Sequence, residues 1–203
     1  MRLAERGRLR ARLALAVVLA AGAGGAAAVT VPERTDARSG APVWKWQGDG
    51  VAVRALGRPP DQTRAFFIAR GFPDDAARRF SRSCVFGMTL RNRAAGGPIR
   101  FDVADWRVRT GGGEHPPVPT ARWQRRWRSM GVPERARTAF AWATFPRSEQ
   151  LGEGGYLMGM VAMGLDPGQR FDLVLRWRQG GTERGVTLEG LRCPSAATTQ
   201  REQ

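Results

Sequence analysis

The C-terminal part of the chain carries the pattern that most restricts its fold. Large apolar side chains occupy every second position before a pair of glycines at 180 and 181, at Phe171, Leu173, Leu175 and Trp177. A period of two is typical of a strand with one buried face, and two consecutive glycines suit a tight hairpin turn. Apolar residues then lead through Val186, Leu188 and Leu191 to Cys193. We therefore predict an antiparallel hairpin at the end of the folded domain.

Shorter strand patterns precede this hairpin. Apolar residues predict strands at 51–56, 85–92, 99–110 and 156–165, the third with a bulge or a switch of face. Residues 137–145 fit a strand, and a helix is the alternative there. Several strands at short spacing predict a mainly β fold, an antiparallel β-sandwich or open barrel with two or three short inserted helices.

Two helices are predicted before the first cysteine. Asp61 is placed to cap the first, which Gly71 ends, and Asp74 opens the second. One side of the second helix is apolar, and its other side carries Arg78, Arg79 and Arg82.

The beginning of the chain has the pattern of an export signal. Residues 1–12 contain five arginines, residues 13–21 are apolar, and alanines at 26 and 28 match the small-residue preference of signal peptidase. We predict a signal peptide over 1–28 and a periplasmic or secreted protein. An uncleaved membrane anchor at 13–31 is the alternative, because no charged residue interrupts that segment.

Cys84 and Cys193 are an even number of cysteines in a chain that is predicted to be exported. Disulfides persist in oxidising compartments, so the two are predicted to bond to each other. Closing a loop of roughly 100 residues stabilises a fold by up to about 4.7 kcal/mol in the chain-entropy model. If the strands that the two cysteines flank are neighbours in the sheet, the bridge fastens the last hairpin to the middle of that sheet.

The remaining sequence predicts a simple domain organisation. Residues 29–43 lack an apolar period and are predicted to be a linker, and residues 195–203 to be a disordered tail. Between them, 44–194 is predicted to be a single extracytoplasmic β-rich domain, because this length supports one good core and is short for two.

The chain is strongly basic, with 33 lysines and arginines against 18 acidic residues and a formal net charge of +15. Nearly all of the basic residues are arginine, since Lys45 is the sole lysine. A basic exported protein meets anionic lipid or envelope polymer more often than nucleic acid. The expected partner is therefore an unknown protein or an anionic envelope component, and not a nucleic acid.

The sequence offers little for catalysis. His115 is the single histidine, and no serine has the context of a nucleophile elbow. One histidine and two bonded cysteines do not complete a zinc site. We therefore expect no enzyme activity, no catalytic residue and no cofactor. The main hypothesis is a non-catalytic exported domain that binds a protein or an envelope component.

The alternative hypothesis is an extracytoplasmic copper-handling protein. Met158, Met160 and Met163, with Met88 elsewhere in the chain, supply thioethers that suit Cu(I). On a strand Met158 and Met160 share a face whereas Met163 lies on the other, and an apolar run of this kind is also typical of a core.

A third predicted helix, at 121–130, is the candidate partner surface. Trp123 and Trp127 lie four residues apart, and arginines flank them at Arg122, Arg125 and Arg126. An aromatic face flanked by arginines can lie at a lipid head-group surface. The same pattern arises when a helix packs its tryptophans onto a sheet, so membrane-surface contact and core packing both stay open.

Overall fold

The structure is a computed structural model that describes residues 27–30, 33–37, 40–93 and 96–195. Apart from residues 27, 28 and 195, the predicted signal peptide and the predicted tail lie outside the described residues, as does most of the alternative anchor. No helix within the described part of the chain has the length and apolar character that crossing a membrane requires.

Within the described residues, twelve strands occur in three groups of four, and a pair of α-helices separates each group from the next. The strands are β1 (Ala27–Thr30), β2 (Arg34–Thr35), β3 (Pro42–Gly48), β4 (Val51–Gly57), β5 (Val85–Asn92), β6 (Ile99–Asp102), β7 (Arg107–Thr110), β8 (Gly113–His115), β9 (Ser148–Leu151), β10 (Tyr156–Ala162), β11 (Arg170–Gln179) and β12 (Thr182–Arg192). The helices are α1 (Pro60–Ile68), α2 (Asp74–Ser81), α3 (Thr120–Ser129) and α4 (Glu134–Ala143).

These strands form two sheets that pack together as a β-sandwich. The first has the order β1-β12-β11-β6-β9, and β7 also pairs with β11 and carries β8. The second has the order β10-β5-β4-β3-β2. The pairs are antiparallel except for β1 with β12. The predicted sandwich is confirmed, with four short helices instead of two or three.

The predicted C-terminal hairpin is confirmed as β11 and β12. Gln179 pairs with Thr182, and the two glycines between them have positive φ angles of 55° and 82°. Two consecutive left-handed residues match the right-handed twist of the flanking strands, and glycine adopts this conformation without steric cost.

The two faces of the second sheet are buried in different ways. Its inner face meets the first sheet in a cluster that we call the sandwich core, whose aromatic members are Trp44, Phe86, Phe101, Trp106, Phe145, Phe171 and Trp177. On the outer face, Val85, Met160 and Ala162 pack under the four helices. We call this second cluster the helical core, and its aromatic members are Phe67, Phe72, Phe80, Trp123, Trp127 and Phe140. Successive residues of a strand point to opposite faces, so β5 and β10 contribute to both cores.

The predicted disulfide is confirmed, and it joins the start of the strand predicted at 85–92 to the end of the last strand, as expected. Cys84 directly precedes β5 and Cys193 directly follows β12, and their Cα atoms lie 5.0 Å apart. These strands belong to different sheets. The bond therefore ties the two layers of the sandwich together, instead of fastening the hairpin within one sheet.

Residues 137–145 are not a strand, because α4 runs through most of them. Ala136 and Phe140 are fully buried in the helical core, and they lie four residues apart on one side of the helix. The alternating small and large residues at 137–145 fit both the two-residue period of a strand and the 3.6-residue period of a helix. Contact with the other helices decides between them.

The predicted strand at 99–110 is interrupted, not bulged. A 3₁₀ turn at Val103–Asp105 separates β6 from β7, and the Asp102 side chain accepts a hydrogen bond from the amide of Ala104 at 2.8 Å. This side-chain bond offers the backbone an alternative to the sheet ladder.

Asp74 is the first residue of α2, as predicted, but the predicted cap at Asp61 is wrong, because no side chain caps α1 or α2. All four helices have proline at the N-cap position, at Pro59, Pro73, Pro119 and Pro133, without a side-chain cap. Proline restrains φ to the narrow range that is observed at these four positions. A proline directly before a helix therefore marks the helix start through its backbone, not through a side-chain hydrogen bond.

The predicted linker at 29–43 is partly folded. It includes β2 and the first residues of β3, and Asp36 pairs with Arg54 of β4 at 2.5 Å. A two-residue edge strand with exposed side chains has no apolar period, so the composition alone could not distinguish it from a linker. Strand β1 spans the predicted cleavage position after Ala28.

Candidate functional site

A cavity of about 910 Å³ lies against α2 and α3. Five arginines line it, Arg78, Arg79, Arg82, Arg122 and Arg126, and we call it the arginine groove. Three aspartates, at 74, 75 and 166, also line it, so the lining has an excess of two positive charges. Its volume is within the range of about 300–1,000 Å³ that is usual for small-molecule sites.

Helical periodicity explains why the arginines point into this groove. On α2, Ala76, Ala77 and Phe80 are buried in the helical core, which leaves the arginines on the exposed side. On α3, Trp123 and Trp127 are buried in the same way. Arginines four residues apart are neighbours along each helix, at 78 and 82 and at 122 and 126. The two helices therefore bring two rows of guanidinium groups to one cavity.

Asp74 already forms ion pairs with two arginines. Arg78 donates to it at 2.6 Å, and Arg64 of α1 also donates to it. The pKa of Asp74 is held below its ordinary value, mainly by the hydrogen bond from Arg78 and next by the hydrogen bond from Arg64. Asp75 accepts a hydrogen bond from the amide of Ala76 at 2.8 Å. Asp74 therefore joins α1 to α2 at the edge of the groove.

The other four arginines of the groove are not neutralised in this way. Within the described residues, no ion pair involves Arg79, Arg82, Arg122 or Arg126, and all four side chains are exposed. The planar guanidinium group matches the oxygens of a phosphate or carboxylate and can donate two parallel hydrogen bonds. Chemically, the groove can hold an anion.

The predicted partner surface on α3 divides into two parts. Trp123 and Trp127 do not form a surface, because they are only 6% and 0% exposed, and their rings stack at 5.1 Å in the helical core. Arg122 and Arg126 line the groove, whereas Arg125 is exposed outside it. For the tryptophans, core packing is the correct alternative.

The four candidate copper ligands do not converge. Met88 and Met163 are buried in the sandwich core, whereas Met160 lies in the helical core on the other side of the sheet. Met158 is 63% exposed. Met158 and Met160 therefore share a face, as predicted, but a sheet layer separates them from the other pair.

His115 is the last residue of β8, and its Nδ1 lies 2.9 Å from the carbonyl oxygen of Pro116. It is not among the residues that line the groove. No group of three or more histidine, cysteine, aspartate or glutamate side chains is arranged to hold a metal ion within the part of the chain that the structure describes.

A second cavity, of about 250 Å³, adjoins the groove and was not predicted from the sequence. Prolines at 116, 117 and 119 form one wall, and Phe145, Met160 and Val161 form another. We call it the apolar pocket. The run Pro-Pro-Val-Pro before α3 was a possible signal, because a rigid apolar segment beside a helix suits the wall of a pocket.

Gly159 allows the close backbone contact that positions Phe145 in the wall of the apolar pocket. A Cβ atom at this position would lie 2.4 Å from the backbone nitrogen of Phe145. The missing side chain lets Phe145 approach β10, where its amide donates to the carbonyl oxygen of Met160 at 3.0 Å. This contact places Phe145 beside the pocket.

No protein-family model matches this chain, and neither a curated protein nor a solved structure matches it. What the groove binds is therefore inferred from its own side chains.

Proposed function

We propose that this protein is a non-catalytic, exported domain that binds an anionic component of the cell envelope in the arginine groove. The single observation that carries the proposal is the groove itself. Four exposed arginines without an ion pair in the described residues face one cavity of about 910 Å³. Like charges gathered at one place repel each other, and a bound anion relieves that repulsion.

Two observations support an extracytoplasmic location, periplasmic or secreted. The disulfide between Cys84 and Cys193 is typical of an oxidising compartment. The first residues of the sequence have the charge and hydropathy pattern of an export signal. In such a compartment a basic groove meets anionic lipids and envelope polymers.

The arginines of the groove are suited to binding an anion. Its lining contains arginine, aspartate, one serine and apolar residues, and the single histidine of the sequence is elsewhere. Guanidinium groups bind and orient anions, and they stay protonated near neutral pH, so they do not transfer protons as a general acid or base would.

The test is a titration of the mature protein with inorganic phosphate, followed by calorimetry in a chloride buffer. We expect the double variant Arg82→Gln with Arg122→Gln to lose affinity. Each hydrogen bond to a charged group contributes roughly 1.5–3 kcal/mol, so each arginine that contacts the anion accounts for about 10- to 100-fold.

The matched control is Arg125→Gln with Arg128→Gln. Both residues are exposed on α3 and neither lines the groove, so this variant removes the same net charge from the protein. Equal loss of affinity in both double variants would show a non-specific charge effect and contradict the proposed site. Absence of phosphate binding at tens of millimolar would contradict it as well.

A further inference from the structure

The arginine groove and the apolar pocket share a boundary. Val118 and Trp123 line both cavities. The amide of Val118 donates to the carbonyl oxygen of Ala162 on β10 at 2.9 Å. The side chain of Trp123 is buried in the helical core and is only 6% exposed. Two well-anchored residues therefore separate a cationic cavity from an apolar one.

The apolar pocket is built to receive apolar groups. Three prolines restrain the backbone of one wall, so this wall needs little ordering when a ligand binds. The Thr144 hydroxyl, which belongs to the lining, already donates to the carbonyl oxygen of Phe140 at 3.0 Å. Thr120 and Arg147 are the other polar lining residues, and Arg147 pairs with Asp102 at 3.4 Å. A water molecule in a cavity needs two to four polar partners, and the remaining walls of proline, phenylalanine, valine and methionine side chains supply few of them.

The size of the pocket suggests that it holds part of a ligand. At about 250 Å³ it lies below the usual range of roughly 300–1,000 Å³ for a whole small-molecule site. The adjoining groove is several times larger and carries the charge. One ligand with an anionic end and an apolar end would satisfy both cavities.

We infer that the ligand is an anionic amphiphile, with a phosphate head group in the arginine groove and the first part of an alkyl or acyl chain in the apolar pocket. This inference rests on the proposed function, because it names the class of anion that the groove binds. A phosphate monoester carries between about 1.5 and 2 negative charges at neutral pH, which matches the excess of two positive charges in the lining. Free alkyl phosphates and phosphatidic acid, a membrane lipid with a terminal phosphate, share this monoester chemistry.

The test is a homologous series of methyl, butyl and octyl phosphate, titrated calorimetrically below their critical micelle concentrations. The charge stays constant along the series, so any gain in affinity reports the chain. We expect octyl phosphate to bind about 100-fold more tightly than methyl phosphate. That factor is equivalent to roughly 2.8 kcal/mol, at 1.4 kcal/mol per tenfold. Burial of three or four methylene groups supplies this amount.

Variants that fill the pocket identify where the chain binds. Ala104 and Ala121 both line the pocket and are exposed, so Ala104→Phe and Ala121→Phe can occupy it without disturbing a core. Each variant should bind methyl phosphate as the wild type does and lose most of the gain from octyl phosphate. The matched control is Ala141→Phe, an exposed alanine of α4 that lines neither cavity, which should keep the full gain.

The outcomes separate the two proposals. If methyl and octyl phosphate bind equally, or if the filled variants keep the gain, the amphiphile inference is wrong while the anion-binding function stands. If no phosphate binds, both are wrong. Vesicles of phosphatidic acid in phosphatidylcholine then distinguish the sources. Pocket-dependent binding to vesicles supports a membrane lipid, and binding of octyl phosphate without vesicle binding supports a free amphiphile.

Discussion

The sandwich core and the helical core lie on opposite faces of the same sheet, and they are held together differently. Long strand pairs and the disulfide enclose the sandwich core. The helical core has no covalent closure among the described residues. Its main contacts are between aromatic rings, and Phe140 alone meets Phe67, Phe72, Phe80 and Trp127 at centroid distances of 5.0–6.0 Å.

This difference shows that the candidate site rests on the less constrained half of the molecule. The four helices have eight to ten residues each, and isolated helices shorter than about 12–15 residues are marginal in water. Ring packing must therefore hold α2 and α3 in place. The groove depends on the helical core for its geometry, while the sandwich supplies the base on which that core is assembled.

The largest expected effect comes from opening the helical core. Phe140→Ala should lower the free energy of unfolding by about 3–5 kcal/mol, because it removes a fully buried ring and leaves a cavity. Affinity for phosphate should fall as well, although Phe140 does not line the groove. Urea denaturation followed by circular dichroism, together with calorimetric titration, measures both quantities.

The control for Phe140→Ala is Trp142→Ala on the same helix. Trp142 is 85% exposed, and surface substitutions of this kind usually change stability by less than about 0.5 kcal/mol. Unchanged phosphate affinity in a folded Phe140→Ala protein would show that the groove does not depend on the helical core.

The next-largest effect is expected when the disulfide of the sandwich core is removed. Replacing both cysteines, Cys84→Ala with Cys193→Ala, should lower the free energy of unfolding by about 2–5 kcal/mol, the usual cost of losing a native disulfide in a small secreted domain. Phosphate affinity should stay unchanged wherever the protein is folded, because neither cysteine lines the groove. A similar loss of affinity in this variant and in Phe140→Ala would mean that the two cores are not separable.

The smallest expected effect concerns the link between α1 and α2. The pKa of Asp74 is lowered by hydrogen bonds from Arg78 and Arg64, so its charge stabilises the fold at neutral pH. That stability is present above the ordinary carboxyl pKa of about 4, and it is lost as the pH falls through the lower value of the folded state. Asp74→Asn should therefore be slightly less stable than wild type at pH 7 and equally stable in strong acid.

Asp61→Asn is the matched control for that comparison, since Asp61 is an exposed acid in the first turn of α1. Both substitutions remove a favourable charge near a helix N-terminus, so the excess effect at residue 74 measures its arginine contacts. The test is to measure the denaturation midpoints of the wild type, Asp74→Asn and Asp61→Asn across the acidic pH range. A constant difference between wild type and Asp74→Asn over that range would contradict the assignment.

Several elements were predictable because their signals are local. The hairpin of β11 and β12 follows from alternation around two glycines. The disulfide was predictable for another reason, since the chain has two cysteines and is predicted to be exported. The predicted α3 is confirmed because tryptophans four residues apart mark its buried side. For the hairpin and for α3, neighbouring residues carried enough information.

Other elements were missed because their signals come from partners distant in the chain. Strand β9 is four residues long with largely exposed side chains, and it is a strand because it pairs with β6, which precedes both α3 and α4 in the chain. The three-residue strand β8 pairs with its chain neighbour β7, and it was missed because its side chains are largely exposed. Similarly, α4 became a helix because Phe140 meets rings from α1, α2 and α3. A period of two or of 3.6 does not separate the alternatives in so short a segment.

The sequence by itself determined which side of each helix is charged. On α2 and α3, the spacing of apolar residues turned Phe80 and Trp123 inward and the arginines outward, since each helix repeats every 3.6 residues. Only the tertiary structure decided that these two arginine rows share one groove. Arg82 and Arg122 lie far apart in the chain, and no local pattern relates them. Edge-to-face packing of Phe80 on Trp123, at 5.2 Å, brings the two helices together and makes two solvated faces into a single cationic cavity.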